Sequence, residues 1–112
     1  MENILDIFYK FKKENNYMFL SLDGINGDCF IFARHLYLYY LKNNIETKIY
    51  TLNKGVHYWI EFNNYAIDSR GVFATRNKLT AIFKKYIVKE NTQPITLEKL
   101  NYIYYKNISV SL

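Results

Sequence analysis

The sequence predicts an α+β domain in which a cysteine-bearing helix packs on a small antiparallel β-sheet. Three observations predict it. The run from Cys29 to Leu41, Cys-Phe-Ile-Phe-Ala-Arg-His-Leu-Tyr-Leu-Tyr-Tyr-Leu, is too long and too apolar for an exposed strand and reads as a largely buried helix. The run from His57 to Asp68 alternates with the period of a strand on both sides of Asn63-Asn64, which reads as a β-hairpin. Helical patterns precede and follow the strands rather than alternating with them, giving the order α-α-β-β-β-α-α.

The elements follow in order. From Glu2 to Glu14, Ile4, Leu5, Phe8 and Phe11 recur at helical spacing while Lys10, Lys12 and Lys13 face water, an amphipathic helix. Tyr17 to Leu22 is an apolar bridge into the loop before the cysteine. Asn26-Gly27-Asp28 closes that loop into a helix cap, and Lys42-Asn43-Asn44 ends the buried helix. Ile45 to Leu52 reads as a strand, which Asn53-Lys54-Gly55 turns into the histidine strand. Asn77 to Val88 reads as another helix. Pro94 breaks the chain. Thr96 to about Tyr105 reads as a short helix capped by Thr96 with Glu98 in its first turn. Ile108 to Leu112 reads as a final strand. With no internal repeat and no linker, residues 1–112 read as a single domain.

The hairpin can be worked out on paper. A two-residue turn at Asn63-Asn64 suits asparagine, which tolerates positive φ. It puts Phe62 opposite Tyr65, Ile60 opposite Ile67, Trp59 opposite Asp68 and His57 opposite Arg70. His57, Trp59, Asp68 and Arg70 then share one face, and Ile60, Phe62 and Ile67 the other. Asp68 is the diagonal neighbour of His57, roughly 7–8 Å away at the backbone and within side-chain reach. A one-residue slip would send Asp68 to the opposite face.

A thiol, an imidazole and a carboxylate in this chain order are the parts of a nucleophilic acyl-transfer site. Cys29 in the first turn of a helix sits where the dipole and free N–H groups favour a thiolate and could receive an oxyanion. Trp59 is expected to border this site and shield the His57–Asp68 pair. Each residue also has a plain structural reading: Cys29 as a small buried hydrophobe, His57 as a structural histidine, and residues 68–71 as a turn. His35, six residues after Cys29, points well away from it and reads as a packing residue. One cysteine and two histidines without paired ligand spacing suggest no metal site, and no cofactor is called for.

Gly27-Asp28-Cys29-Phe30, a helix with Ala33 and Leu36, a strand, then Val-His-Tyr-Trp-Ile-Glu-Phe at 56–62 and Tyr-Ala-Ile-Asp-Ser-Arg-Gly at 65–71 together resemble the minimal core of the papain-like and transglutaminase-like superfamily. The resemblance runs from about Asp23 to Phe73. It implies Cys29 as nucleophile, His57 as general base and acid, and Asp68 as the group orienting His57. It implies peptide or amide hydrolysis, deamidation or transamidation as the chemistry. Members often supply an oxyanion donor from a glutamine before the cysteine; here Asn26 is the nearest amide and Ser21 a weaker candidate.

Composition bounds the partners. Half of the residues are hydrophobic, which excludes disorder. A lone cysteine makes no internal disulfide and suits a reducing, cytoplasmic setting. The N-terminus lacks the pattern of a signal peptide, and no apolar run is long enough to cross a membrane. The bias to Lys, Asn, Ile and Tyr fits an AT-rich bacterial, plasmid or phage genome. Arg70, Arg76, Lys78, Lys84, Lys85 and Lys89 cluster within a chain of net charge +5. That Arg70–Lys89 region reads as a solvated face, or as contact for an acidic protein or nucleic acid. Two function classes follow. One is a small cysteine hydrolase or acyltransferase acting on a peptide, isopeptide or glutamine amide of a protein substrate, such as a bacterial toxin, effector or phage protein that modifies a host factor. The other is a non-catalytic binding or inhibitory protein using a basic, tyrosine-rich surface.

Overall fold

Strict alternation along the central strands sends apolar side chains to both faces of a sheet, and each face collects its own cover. The structure, a computed structural model, describes residues 2–16, 29–85 and 87–111. It is an α+β fold with helices α1 (Glu2–Glu14), α2 (Cys29–Lys42), α3 (Arg76–Thr80) and α4 (Leu97–Ser111). A 3₁₀ turn, Ala81–Phe83, follows α3. The strands are β1 (Lys48–Leu52), β2 (His57–Phe62), β3 (Tyr65–Asp68), β4 (Gly71–Phe73) and β5 (Thr92–Ile95). They form one sheet in the order β4-β3-β2-β1-β5, with every neighbouring pair antiparallel.

The first face carries Ile49, Tyr58, Ile60 and Ile67, packed against Ile4, Phe8 and Phe11 of α1, Phe32, Ala33, Leu36 and Tyr40 of α2, and Leu100 of α4. The buried Tyr40 hydroxyl donates to the Ile4 carbonyl at 2.7 Å, so the phenol meets its polar need inside the core while bridging two helices. The second face carries Leu52, Trp59 and Ala66, covered by Leu79 and Phe83. A sheet buried on both sides gives β2 its unbroken burial from His57 to Ile60.

The hairpin register agrees with the sequence arithmetic: Ile60 pairs with Ile67 and Phe62 with Tyr65. Asn63 adopts φ +54°, the left-handed conformation that asparagine enters more readily than most residues. Asn63→Val is therefore expected to lose about 1–2 kcal/mol, while Asn63→Gly stays close to wild type, both read from urea unfolding midpoints. Equal midpoints for valine and glycine would show that this conformation costs nothing here.

Four expectations are corrected. The first strand begins at Lys48, not Ile45. The helix expected over Asn77–Val88 is α3 followed by the 3₁₀ turn ending at Phe83; the chain tightens because Leu79 and Phe83 must both reach the second face. Pro94 does not break the chain but lies in β5, opposite Tyr50 of β1, where an edge strand tolerates the missing N–H. Residues 108–111 continue α4 and form no strand. Its start was legible: Thr96 Oγ1 accepts from the Lys99 N–H at 3.2 Å, the bond of an N-cap. The segment Tyr17 to Leu22 lies outside the described residues.

Candidate active site

His57 is the first residue of β2, delivered by a turn in which Asn53, Lys54 and Gly55 have φ of +46°, +56° and +126°. That turn closes on the Leu52 carbonyl, which accepts from the Gly55 and Val56 N–H groups. His57 is fully buried and Asp68 is 2% exposed. His57 Nε2 lies 2.8 Å from Asp68 Oδ2. The hairpin register alone creates this pairing, since both side chains project from the second face.

Arg70 completes a second grip on the carboxylate. Its backbone N–H donates to Asp68 Oδ1 at 2.8 Å, and its Nε and Nη2 donate to Oδ2 at 3.1 and 2.7 Å. Burial alone would raise the Asp68 pKa. The hydrogen bonds and charges of His57 and Arg70 outweigh that and hold it below its ordinary value. An ionised Asp68 only accepts, so the proton of the His57–Asp68 bond belongs to Nε2. The other ring nitrogen, Nδ1, is buried with no hydrogen-bond partner among the described residues.

Aromatic rings enclose the pair. Phe83 lies 4.6 Å from the His57 ring, centroid to centroid, and Trp59 6.0 Å from it. Trp59 is fully buried, and its indole N–H donates to Glu61 Oε2 at 2.7 Å. It therefore supports His57 from within the protein and presents no surface to a substrate. Glu61 in turn accepts from Arg76 Nε and Nη2 at 2.7 and 3.0 Å, and the Arg76 guanidinium lies over the Tyr50 ring. A polar ladder thus runs beside the dyad, from Arg76 through Glu61 to Trp59.

Cys29 opens α2, but its side chain, together with Asn26 and Ser21, lies outside the described residues. The expected contact between Cys29 and His57 falls there too. The neighbouring geometry is described. The body of α2 covers the face of Tyr58, Ile60 and Ile67, opposite the His57 ring. Its first turn nevertheless reaches the end of β2 where His57 sits: the Phe30 ring, one residue after Cys29, meets the Tyr58 ring, one residue after His57, with centroids 6.4 Å apart. His35 bonds the Ile31 carbonyl one turn back through Nδ1 at 2.9 Å and stays apart from the dyad.

Sequence reasoning missed three contributors. Arg70 was visible on the His57 face in the register arithmetic, yet its charge was counted with a basic cluster. Arg76 was counted there as well; it opens α3, and its partner Glu61 lies on β2, fifteen positions earlier. Phe83 carried the faint signal of an aromatic four residues after Leu79. Of the proposed basic region, Arg70 and Arg76 are thus engaged with acids inside the protein, and Lys84 lies 4.0 Å from Glu90. Among the described residues no group of three or more His, Cys, Asp or Glu side chains is disposed to hold a metal ion, and no helix is long and apolar enough to cross a membrane. No family model, curated protein or solved structure matches the chain.

Proposed function

We propose that this chain is a thiol-dependent acyl-transfer enzyme of the papain-like and transglutaminase-like kind, acting on an amide of a peptide or protein. The observation that carries the reading is the state of His57: Asp68 holds its Nε2, and Nδ1 is left without a hydrogen-bond partner among the described residues at the end of β2 that the first turn of α2 reaches. An imidazole oriented through one nitrogen and unengaged at the other is what a general base needs.

In this mechanism Nδ1 takes the Cys29 thiol proton, and the thiolate attacks the amide carbonyl. The carbonyl π electrons move to oxygen, which the Cys29 backbone N–H and Asn26 receive. Collapse breaks the C–N bond, and Nδ1 returns its proton to the leaving amine. Water or a second amine then adds to the thioester carbonyl, giving its proton to Nδ1; collapse breaks the C–S bond and releases the Cys29 thiolate, which takes that proton back, so the outcome is hydrolysis, deamidation or transamidation. A working thiolate of this kind suits a reducing cytoplasm.

A second reading rests on a different observation: the His57 ring is fully buried under Phe83. A closed dyad suits a non-catalytic binding protein whose exposed Lys78 and Lys89 meet an acidic protein or nucleic acid. Alkylation by iodoacetamide at mildly acidic pH separates the two. An ordinary thiol, with pKa near 8.5, reacts slowly there. The enzyme reading expects rapid labelling of Cys29, slowed about 100-fold in His57→Ala, and no labelling in Cys29→Ala with its fold intact. Slow labelling that is indifferent to His57→Ala would leave the binding protein as the account.

A further inference from the structure

The end of the sheet where His57 begins carries a hollow on its first face, the face that α2 covers. It holds about 220 Å³. Thr51 of β1, Tyr58 of β2, Ile95 of β5 and Ile103 of α4 form its walls. Two of these residues tie it to the candidate site. Thr51 Oγ1 donates to the His57 carbonyl at 3.1 Å. The Tyr58 ring meets the ring of Phe30, the residue after Cys29. The hollow is thus one side chain removed from the His57 backbone and from the first turn of α2.

Its charge is one-sided. Lys54, in the turn that delivers His57, and Lys99, in the first turn of α4, line it and are exposed. Gln93, opposite Thr51 across β1 and β5, adds an amide. Among the described residues no acid lines it. Glu98, the neighbour of Lys99, is not in the lining. Glu90 shares an adjoining hollow with Lys54 but accepts from Thr80 Oγ1 at 3.2 Å and lies 4.0 Å from Lys84. Pockets that enclose a whole small molecule run to about 300–1,000 Å³, so this one has room for a single side chain. Its apolar walls suit methylene groups. Two ammonium groups and an amide suit a carboxylate at the end of them.

We propose that this hollow is a specificity subsite that takes a glutamate side chain of the peptide whose amide is attacked. Its part in catalysis rests on the acyl-transfer reading above, but its occupancy is measurable without it. The probes are two pentapeptides, acetylated and amidated, with glutamate or glutamine flanked on each side by two glycines. They are titrated into the intact chain at neutral pH, and the methyl signals of Ile95 and Ile103 are followed by NMR. The glutamate peptide is expected to shift both signals saturably and to bind about fivefold or more tighter than the glutamine peptide, the scale of an ion pair at an exposed rim. The preference should shrink in high salt and vanish in Lys54→Gln/Lys99→Gln. Saturating glutamate peptide should also slow iodoacetamide labelling of Cys29 several-fold in the wild type.

Equal binding of the two peptides, a preference that survives the double substitution, or saturation that leaves Cys29 labelling unchanged would overturn the inference. If the double variant does not fold, Lys99→Gln alone must weaken the glutamate peptide more than the glutamine one. The two readings fail separately. Lysine-dependent glutamate binding, beside labelling that ignores His57→Ala, keeps the hollow as an acidic-peptide site and removes the acyl-transfer reading. His57-dependent labelling without a glutamate preference does the reverse.

Discussion

Asp68→Ala is expected to destabilise the protein by about 3 kcal/mol, the lower end of the cost of removing one partner from a buried charged cluster. The lower end applies because the Arg70 side chain is 20% exposed and retains the Leu79 carbonyl, so its orphaned charge reaches some water. His57 Nε2–H, fully enclosed, loses its acceptor outright. Asp68→Asn keeps one acceptor for a cluster that needs several, and should cost about 1–2 kcal/mol. Urea unfolding followed by Trp59 fluorescence measures both, and a loss under about 1 kcal/mol for alanine would show that the cluster does not hold the fold. The same carboxylate makes stability depend on acid. Its folded-state pKa lies below the ordinary value of 3.8, so its contribution is complete above that value and is lost as pH falls through the lower folded one. Asp68→Asn should remove that part of the acid limb.

Trp59→Ala is expected to be as damaging, at about 3–5 kcal/mol. The indole is fully buried, stacks on Tyr50 at 6.3 Å, flanks the His57 ring and closes the ladder to Glu61. Removing it leaves a cavity between Leu79, Phe83 and the sheet. Trp59→Phe keeps most of the volume and leaves Glu61 its two bonds from Arg76, so it should cost less than half as much. Thermal unfolding followed by far-UV circular dichroism, which needs no tryptophan signal, separates the two. Equal losses would mean that the indole N–H, not its bulk, carries the effect.

Much of the fold was legible where a period is strong and local. The 3.6-residue spacing of Ile4, Phe8 and Phe11 marked α1, and the apolar run after Cys29 marked α2. The alternation around Asn63-Asn64 fixed the register, and the register put His57 and Asp68 side by side. β4 and β5 were not legible. Three residues are too few to show a period, and Pro94 signals a break unless the strand is known to be an edge. Ile108 and Val110 resemble strand residues, but a helix already begun at Thr96 propagates through them more readily than a new strand forms.

The sequence by itself determined which side chains share a face, because side-chain direction in a strand depends only on the parity of the position and on the turn. It also determined that an acid, an imidazole and a cation would lie on the same face of the hairpin. Only the tertiary structure decided what covers that face. Phe83 closes over His57 from a 3₁₀ turn, and Arg70 gives its fork to Asp68 instead of to solvent. Arg76 finds Glu61 fifteen positions away. Charges counted along a chain carry no record of their partners across strands, because pairing follows from distance and desolvation in the folded state, and those exist only once both faces of the sheet are buried.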